Sequence, residues 1–362
     1  MSIAATLRIL AIQKNNVGDL VLITPFLAEL RRRFPAARID VLANSYNAPV
    51  LDRNKDIDHV YVYTKSKHRP HDIPLSRLYL QELRLLLAMR RTRYDYAFLL
   101  NGRFYVWHLN LARMVAPKHI VGFVESPTQA KARAFDVPLA SDSILERHVV
   151  PRSLRLLNAA FPVESTTGAS PDCNPCHVSP EPRLRSRLLS RLFARGLPRG
   201  GSIVALNISA RRPKQRWPLD RFARLARLIA TRMHASLVVF WAPGDETTAT
   251  HPGDDAMAQA LLAMCRELPV FGCHTTTLPE FIAGLSMSDV LVTSDGGAMH
   301  LGAACDRPVV ALFGDSDPEI WHPWCRSYRI AHSPSGDVSD ISVEEVFHHV
   351  EHFIALKQVT VT

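Results

Sequence analysis

Short apolar runs and helix-period segments alternate along the chain from its first residues. Leu7 to Ile12 is a continuous apolar run, and from about Asp19 to Phe34 the apolar positions recur at helical spacing. Arg38 to Ala43 reads as the next strand, and Asp58 to Tyr63 as another, with Val60 and Val62 alternating against tyrosines. Leu75 to Arg93 predicts a helix, Tyr94 to Leu100 a strand, Phe104 to Val115 a helix and His119 to Phe123 a strand. Strands and helices alternating at this spacing predict a parallel sheet covered on both faces.

The pattern breaks between about Val163 and Pro182, where prolines 162, 171, 175, 180 and 182 stand among Ser, Thr and Gly residues. Such a stretch reads as a linker. The alternation then restarts. Ser202 to Asn207 is a strand, and Trp217-Pro218 opens a helix with Phe222, Leu225, Ala226, Ile229 and Met233 on one face. Leu237 to Trp241, Pro269 to Gly272, Asp289 to Thr293 and, as the last strand, Val309 to Phe313 follow, with helices over Asp255 to Arg266, Leu278 to Leu285 and Val343 to Leu356. The expectation is an α/β protein of two doubly wound, Rossmann-like domains facing a cleft. Their expected bounds are 1–165 and 183–340, joined by a linker over 166–182 and closed by a helix and tail over 341–362.

Composition narrows the partners. The 362 residues hold 43 Lys and Arg against 34 Asp and Glu, a net charge of +9 that favours anionic partners. No zinc-finger spacing or aromatic RNA-binding consensus accompanies the charge, so no specific nucleic-acid partner is expected. No apolar run reaches the roughly 18 residues of a membrane-spanning helix. Met1 to Leu10 has no secretory pattern, so a cytoplasmic location is expected. Cys173-Asn174-Pro175-Cys176 beside His177 is a single pair in a Pro-rich stretch, read as a mobile loop with two free thiols.

Three clusters follow predicted strands, where doubly wound sheets bind ligands. Asn15, Asn16, Gly18 and Asp19 follow the first strand, with Thr24-Pro25 a turn and a half further on. Asp19 suits either a helix cap or a general base. Arg211-Arg212-Pro213-Lys214-Gln215-Arg216 precedes the Trp217 helix and suits either a solvated loop or a diphosphate clamp. Asp245 and Glu246, after another strand, suit a ribose or a turn. The most distinctive run is Ser294-Asp295-Gly296-Gly297-Ala298-Met299-His300. A strand, an acid, two glycines and a small-residue helix present backbone N–H groups and the positive end of a helix dipole to an anion.

Taken together, Gly18-Asp19 with Thr24-Pro25 and Leu30-Arg31, Arg216-Trp217-Pro218 with Arg221-Phe222, and Asp295 to Leu301 with Pro308 to Gly314 and Pro318 resemble the ADP-heptose:lipopolysaccharide heptosyltransferases of glycosyltransferase family 9. The resemblance runs from about residue 7 to 325. It implies a GT-B fold and an inverting, metal-independent, cofactor-free transfer from ADP-heptose to the anionic lipid A–core glycolipid at the inner membrane face. Asp19 matches the family's base. Lys214, Arg216, Asp245, Glu246, Asp295, Gly296, Gly297 and His300 fall on the donor side, and Asn15, Asn16, Thr24 and Arg103 on the acceptor side. Two departures touch the donor side: Gly296 stands where the family has threonine, and Gln215 where it has a phosphate-binding lysine, which Lys214 or Arg216 could replace. A related GT-B enzyme using another nucleotide sugar, and a non-catalytic nucleotide-sugar binder, are the alternatives. Arg90, Arg91 and Arg93 end a helix whose other face carries Leu83, Leu86 and Leu87. That face is expected to pack on the sheet, against a peripheral role at the membrane surface.

Overall fold

The computed structural model of the protein describes residues 6–64, 74–125, 130–141, 146–162, 174–245 and 253–361. The chain divides into two compact units between Cys176 and His177, and each is built on its own six-stranded sheet.

The strands of the first unit are β1 (Arg8–Ile12), β2 (Arg38–Asn44), β3 (His59–Tyr63), β4 (Tyr96–Leu99), β5 (His119–Val124) and β6 (Val137–Ala140). Its helices are α1 (Val17–Val21), α2 (Thr24–Arg33), α3 (Leu75–Thr92), α4 (Val106–Val115) and α5 (Val149–Ala160). The strands pair in parallel in the order β3-β2-β1-β4-β5-β6. Four of the five β1 residues are fully buried, as a central strand covered on both faces requires. Ile12 lies opposite Leu42 on one side and Leu99 on the other.

The second unit has β7 (Ile203–Asn207), β8 (Ser236–Phe240), β9 (Val270–Gly272), β10 (Val290–Ser294), β11 (Val309–Phe313) and β12 (Tyr328–His332). Its helices are α6 (Pro182–Phe193), α7 (Leu219–Met233), α8 (Asp255–Met264), α9 (Leu278–Leu285), α10 (Gly297–Ala304), α11 (Pro318–Trp321) and α12 (Val343–Val361). The order β12-β11-β10-β7-β8-β9 repeats that of the first unit when each sheet is counted from its own first strand. In both, the strand order reverses beside the first strand, between β1 and β4 and between β7 and β10. At such a reversal the connections diverge and leave a crevice beyond the carboxyl ends of the two strands. Side chains bind across it. Gln13 Nε2 donates to the Leu100 carbonyl at 2.5 Å, and Asn207 Nδ2 donates to Thr293 Oγ1 at 3.0 Å.

Several expectations are corrected. The single helix expected over 19–34 is two, α1 and α2, because Pro25 has no N–H to continue the ladder. Val309–Phe313 is not the last strand: β12 follows it at the sheet edge, and its YRIAH sequence buries little apolar surface. Helices α5 and α6 carry prolines in their first turns, where the missing N–H has no helical partner anyway. The part of the expected linker up to Cys173 lies outside the described residues. Beyond it, Val178 N–H bonds the Ala304 carbonyl at 3.0 Å and Pro182 already belongs to α6. Cys176 lies in irregular backbone but is buried, and Cys173 lies outside the described residues.

Candidate functional site

The loops after β1 and β4 carry the first half of the predicted residues, beside the reversal of the first sheet. Asp19 sits in the first turn of α1, where its carboxylate accepts the Asn16 backbone N–H at 3.1 Å. The cap expected for such a residue is therefore present. Burial nonetheless raises its pKa above the ordinary aspartate value, against hydrogen bonds from Asn16 and Asn15 that pull it down. A carboxyl in that state holds a proton more readily than a solvated one, as a general base must after it has accepted one.

The loop bearing Asn15 and Asn16 is fixed from below. Asn44 Nδ2 donates to the Asn15 carbonyl at 2.7 Å, and Asn47 Nδ2 donates to the Asn15 and Asn16 carbonyls at 3.2 and 3.3 Å. Both asparagines are buried. Thr24 is buried as well, and its hydroxyl donates to the Val21 carbonyl at 2.7 Å. It ties the α1–α2 break together. Arg103 is exposed after β4, with Nε donating to the Tyr105 hydroxyl at 2.6 Å.

Three residues with no sequence signal join this group. The Lys14 ammonium lies 3.9 Å from the centre of the Tyr63 ring and 4.6 Å from that of Trp107. Trp107 is 45% exposed at the start of α4. Lysine, tyrosine and tryptophan come from the loop after β1, from β3 and from α4, so only the fold assembles them. An exposed ring beside a lysine, with the Arg103 guanidinium 5.1 Å from the nearby Tyr105 ring, suits a sugar bearing a negative charge.

The second half lies at the reversal of the other sheet. Asp295 follows β10, and Gly296 precedes the first turn of α10. Gly296 has φ +155° and ψ −167°, a region essentially restricted to glycine, with open space around its α-carbon. Its departure from threonine is thus built into the backbone as well as into the lost hydroxyl. Further along α10, a β-carbon on Gly302 would stand 2.3 Å from Leu291 Cδ2, so that glycine sets how closely the helix lies on β10. His300 is buried on the same helix. Burial raises the Asp295 pKa, and the Arg212 guanidinium nearby opposes the rise.

The basic stretch after β7 divides by residue. Gln215 is buried and donates to Asp295 Oδ2 at 3.4 Å. Arg212 pairs with Asp315 at 2.9 Å. Arg216 pairs at 2.7 Å with Asp254, which is almost fully buried and also accepts the Ser209 hydroxyl at 2.5 Å. Through this pair Arg216 neutralises a buried carboxylate that the sequence did not single out, while its side chain stays partly exposed beside the expected donor side. Arg211 and Lys214 are exposed. Asp245 is exposed, and its carbonyl accepts the Gly253 N–H at 2.9 Å. Glu246 lies outside the described residues.

The site's parts are a carboxyl raised by burial beside one sheet reversal and, beside the other, a glycine-led helix start flanked by an acid and an exposed lysine. Such parts suit proton removal from a hydroxyl and the holding of a diphosphate. Comparison with known proteins gives the same direction. Over 312 residues the chain is 23% identical to lipopolysaccharide heptosyltransferase 3 of Escherichia coli, covering 85% of this chain and 83% of that one. A glycosyltransferase family 9 protein of Veillonella parvula superposes with a TM-score of 0.78 at 21% identity, over 98% of this chain and 99% of that one. The E. coli ADP-heptose lipopolysaccharide heptosyltransferase II superposes with a TM-score of 0.75 at 19% identity, over 97% and 100% of the two chains. These likenesses give the GT-B fold. The model of glycosyltransferase family 9 (heptosyltransferase) matches residues 82–350, well over half of the sequence, and the chain belongs to this family of glycosyltransferases.

Proposed function

We propose that this enzyme moves a heptose from ADP-heptose to the lipid A–core oligosaccharide, with inversion and without a metal or cofactor. The observation that carries the proposal is the pairing of family membership with the Asp295-Gly296-Gly297 turn at the sheet reversal, where α10 begins. In the proposed reaction Asp19 takes the proton of an acceptor hydroxyl. That oxygen attacks the anomeric carbon from the face opposite the nucleotide, and the bond to ADP breaks. The diphosphate gains charge as it leaves, and the N–H groups at the start of α10 together with Lys214 would stabilise it. Lys14, Arg103 and Trp107 would receive the anionic acceptor, whose lipid anchor calls for action at the cytoplasmic face of the inner membrane.

A thermal-shift panel of ADP-, UDP-, GDP- and CMP-sugars tests the donor, since a ligand that binds the folded state raises apparent stability. Stabilisation by ADP-heptose, with transfer to a heptose-deficient core acceptor, is expected. A response confined to UDP- or GDP-sugars would overturn the donor.

A further inference from the structure

Helix α3 turns an apolar stripe to solvent. Tyr79, Leu83 and Leu87 follow one another at four-residue spacing, with Leu80 beside them, and they are 65%, 51%, 42% and 46% exposed. Side chains four apart stand on one face of a helix, so the stripe is continuous. The sequence pattern had Leu83 and Leu87 packing on the sheet. Instead Met89 enters the core of the first unit, with Leu85 and Leu86 half-buried against it. Met114 at the end of α4 is 47% exposed, and its carbonyl accepts Arg90 at 3.3 Å, which extends the apolar face at that end.

The charges have a pattern too. Arg77, Arg84 and Arg91 are exposed and recur every seven residues, which places them in a row along one flank of the stripe. The helix has a single acid, Glu82. An apolar stripe edged by a row of arginines matches a surface that is apolar within and anionic at its boundary. The arginine stems can lie along that boundary with their heads among phosphates. A second copy packing through the same helix would set another arginine row against this one, with Glu82 as the helix's single acid.

We propose that α3, with Met114, is the surface by which this enzyme docks on an anionic lipid bilayer. The stripe enters the headgroup region and the Arg77–Arg84–Arg91 row contacts lipid phosphates. Docking itself does not require the reaction. That the same bilayer presents the acceptor rests on the function proposed above.

The test measures flotation of the full chain with vesicles of equimolar phosphatidylcholine and phosphatidylglycerol, with no donor or acceptor present. Binding is expected that weakens as salt rises and is much lower on phosphatidylcholine alone. L83S/L87S and R77Q/R84Q/R91Q should each lower it by roughly tenfold or more, since each arginine near an anionic surface contributes to partitioning. All these positions are exposed, and thermal melts should match wild type. Both variants should keep wild-type turnover on a deacylated, soluble acceptor and lose it on an acceptor embedded in vesicles. Absent binding by the wild type, or unchanged binding by L83S/L87S, overturns the proposal. A wild type that scatters light as a dimer, with L83S/L87S a monomer, overturns it in favour of self-association. Loss of turnover on the soluble acceptor would locate the fault in the proposed reaction instead.

Discussion

Asp19 is asked to do two things at once. It caps α1 through the Asn16 N–H, and it is raised above its ordinary pKa by burial. Unfolded, an aspartate of this kind titrates near 3.8; folded, Asp19 does so at higher pH. The folded chain therefore holds this proton more tightly, and stability rises as pH falls through the folded value, while above it the buried carboxylate is a cost. Asp19→Asn removes that cost and keeps a cap acceptor. At neutral pH it should melt no lower than wild type, with any gain shrinking as the pH approaches the unfolded value. Turnover should fall by about 100- to 10,000-fold. Melting curves over a pH series, together with a transfer assay, check both halves. Full turnover in a folded Asp19→Asn enzyme would remove Asp19 as the base. The two cations flanking Gln215 separate in the same way. Lys214→Ala should weaken donor binding and leave the melt unchanged, because Lys214 is exposed. Arg216→Met leaves the carboxylate of Asp254 buried and unpaired, and should cost about 3–5 kcal/mol in denaturant unfolding.

At the scale of elements, the start of α10 depends on two glycines for different reasons. Gly296 needs its backbone angle, and Gly302 needs the absence of a β-carbon beside Leu291, which is itself fully buried. Gly302→Ala should therefore destabilise by about 1–3 kcal/mol through overpacking. It should also lower donor affinity by displacing the helix start, as urea unfolding and an ADP titration would show. Unchanged stability would mean that β10 and α10 are not in tight contact. The glycine pair was readable in the sequence because strand, acid, glycines and helix are contiguous there. The central strands were readable too, since burial on both faces leaves unbroken apolar runs such as Val309–Phe313. Edge strand β12 was not, because an edge needs few apolar positions. Lys14, Tyr63 and Trp107 were invisible for another reason: three separate elements bring them together. The Arg216–Asp254 pair joins residues 38 positions apart, and nothing in a basic loop announces its buried partner.

The whole molecule repeats one topology without repeating its sequence, and each copy carries its own core. The first is built around Leu10, Ile12, Phe135 and Met89, the second around Leu206, Trp217, Leu237 and Val346. Every donor-side residue proposed here belongs to the second unit, and so does the sheet that positions it. A unit with a complete six-stranded sheet, a buried tryptophan donating to the Ile341 carbonyl at 3.1 Å and a closing helix packed on its core meets the conditions for folding alone. The fragment His177–Thr362 should therefore unfold cooperatively and bind ADP with an affinity near that of the full chain. At a hundredfold excess of ligand over the dissociation constant, binding stabilises by about 2.7 kcal/mol, a shift easily read in a thermal melt. The fragment should transfer no sugar, since Asp19 is absent from it. A folded fragment blind to ADP, beside a full chain that binds it, would mean that the first unit contributes to the nucleotide site and that the division of labour between the two sheets is wrong.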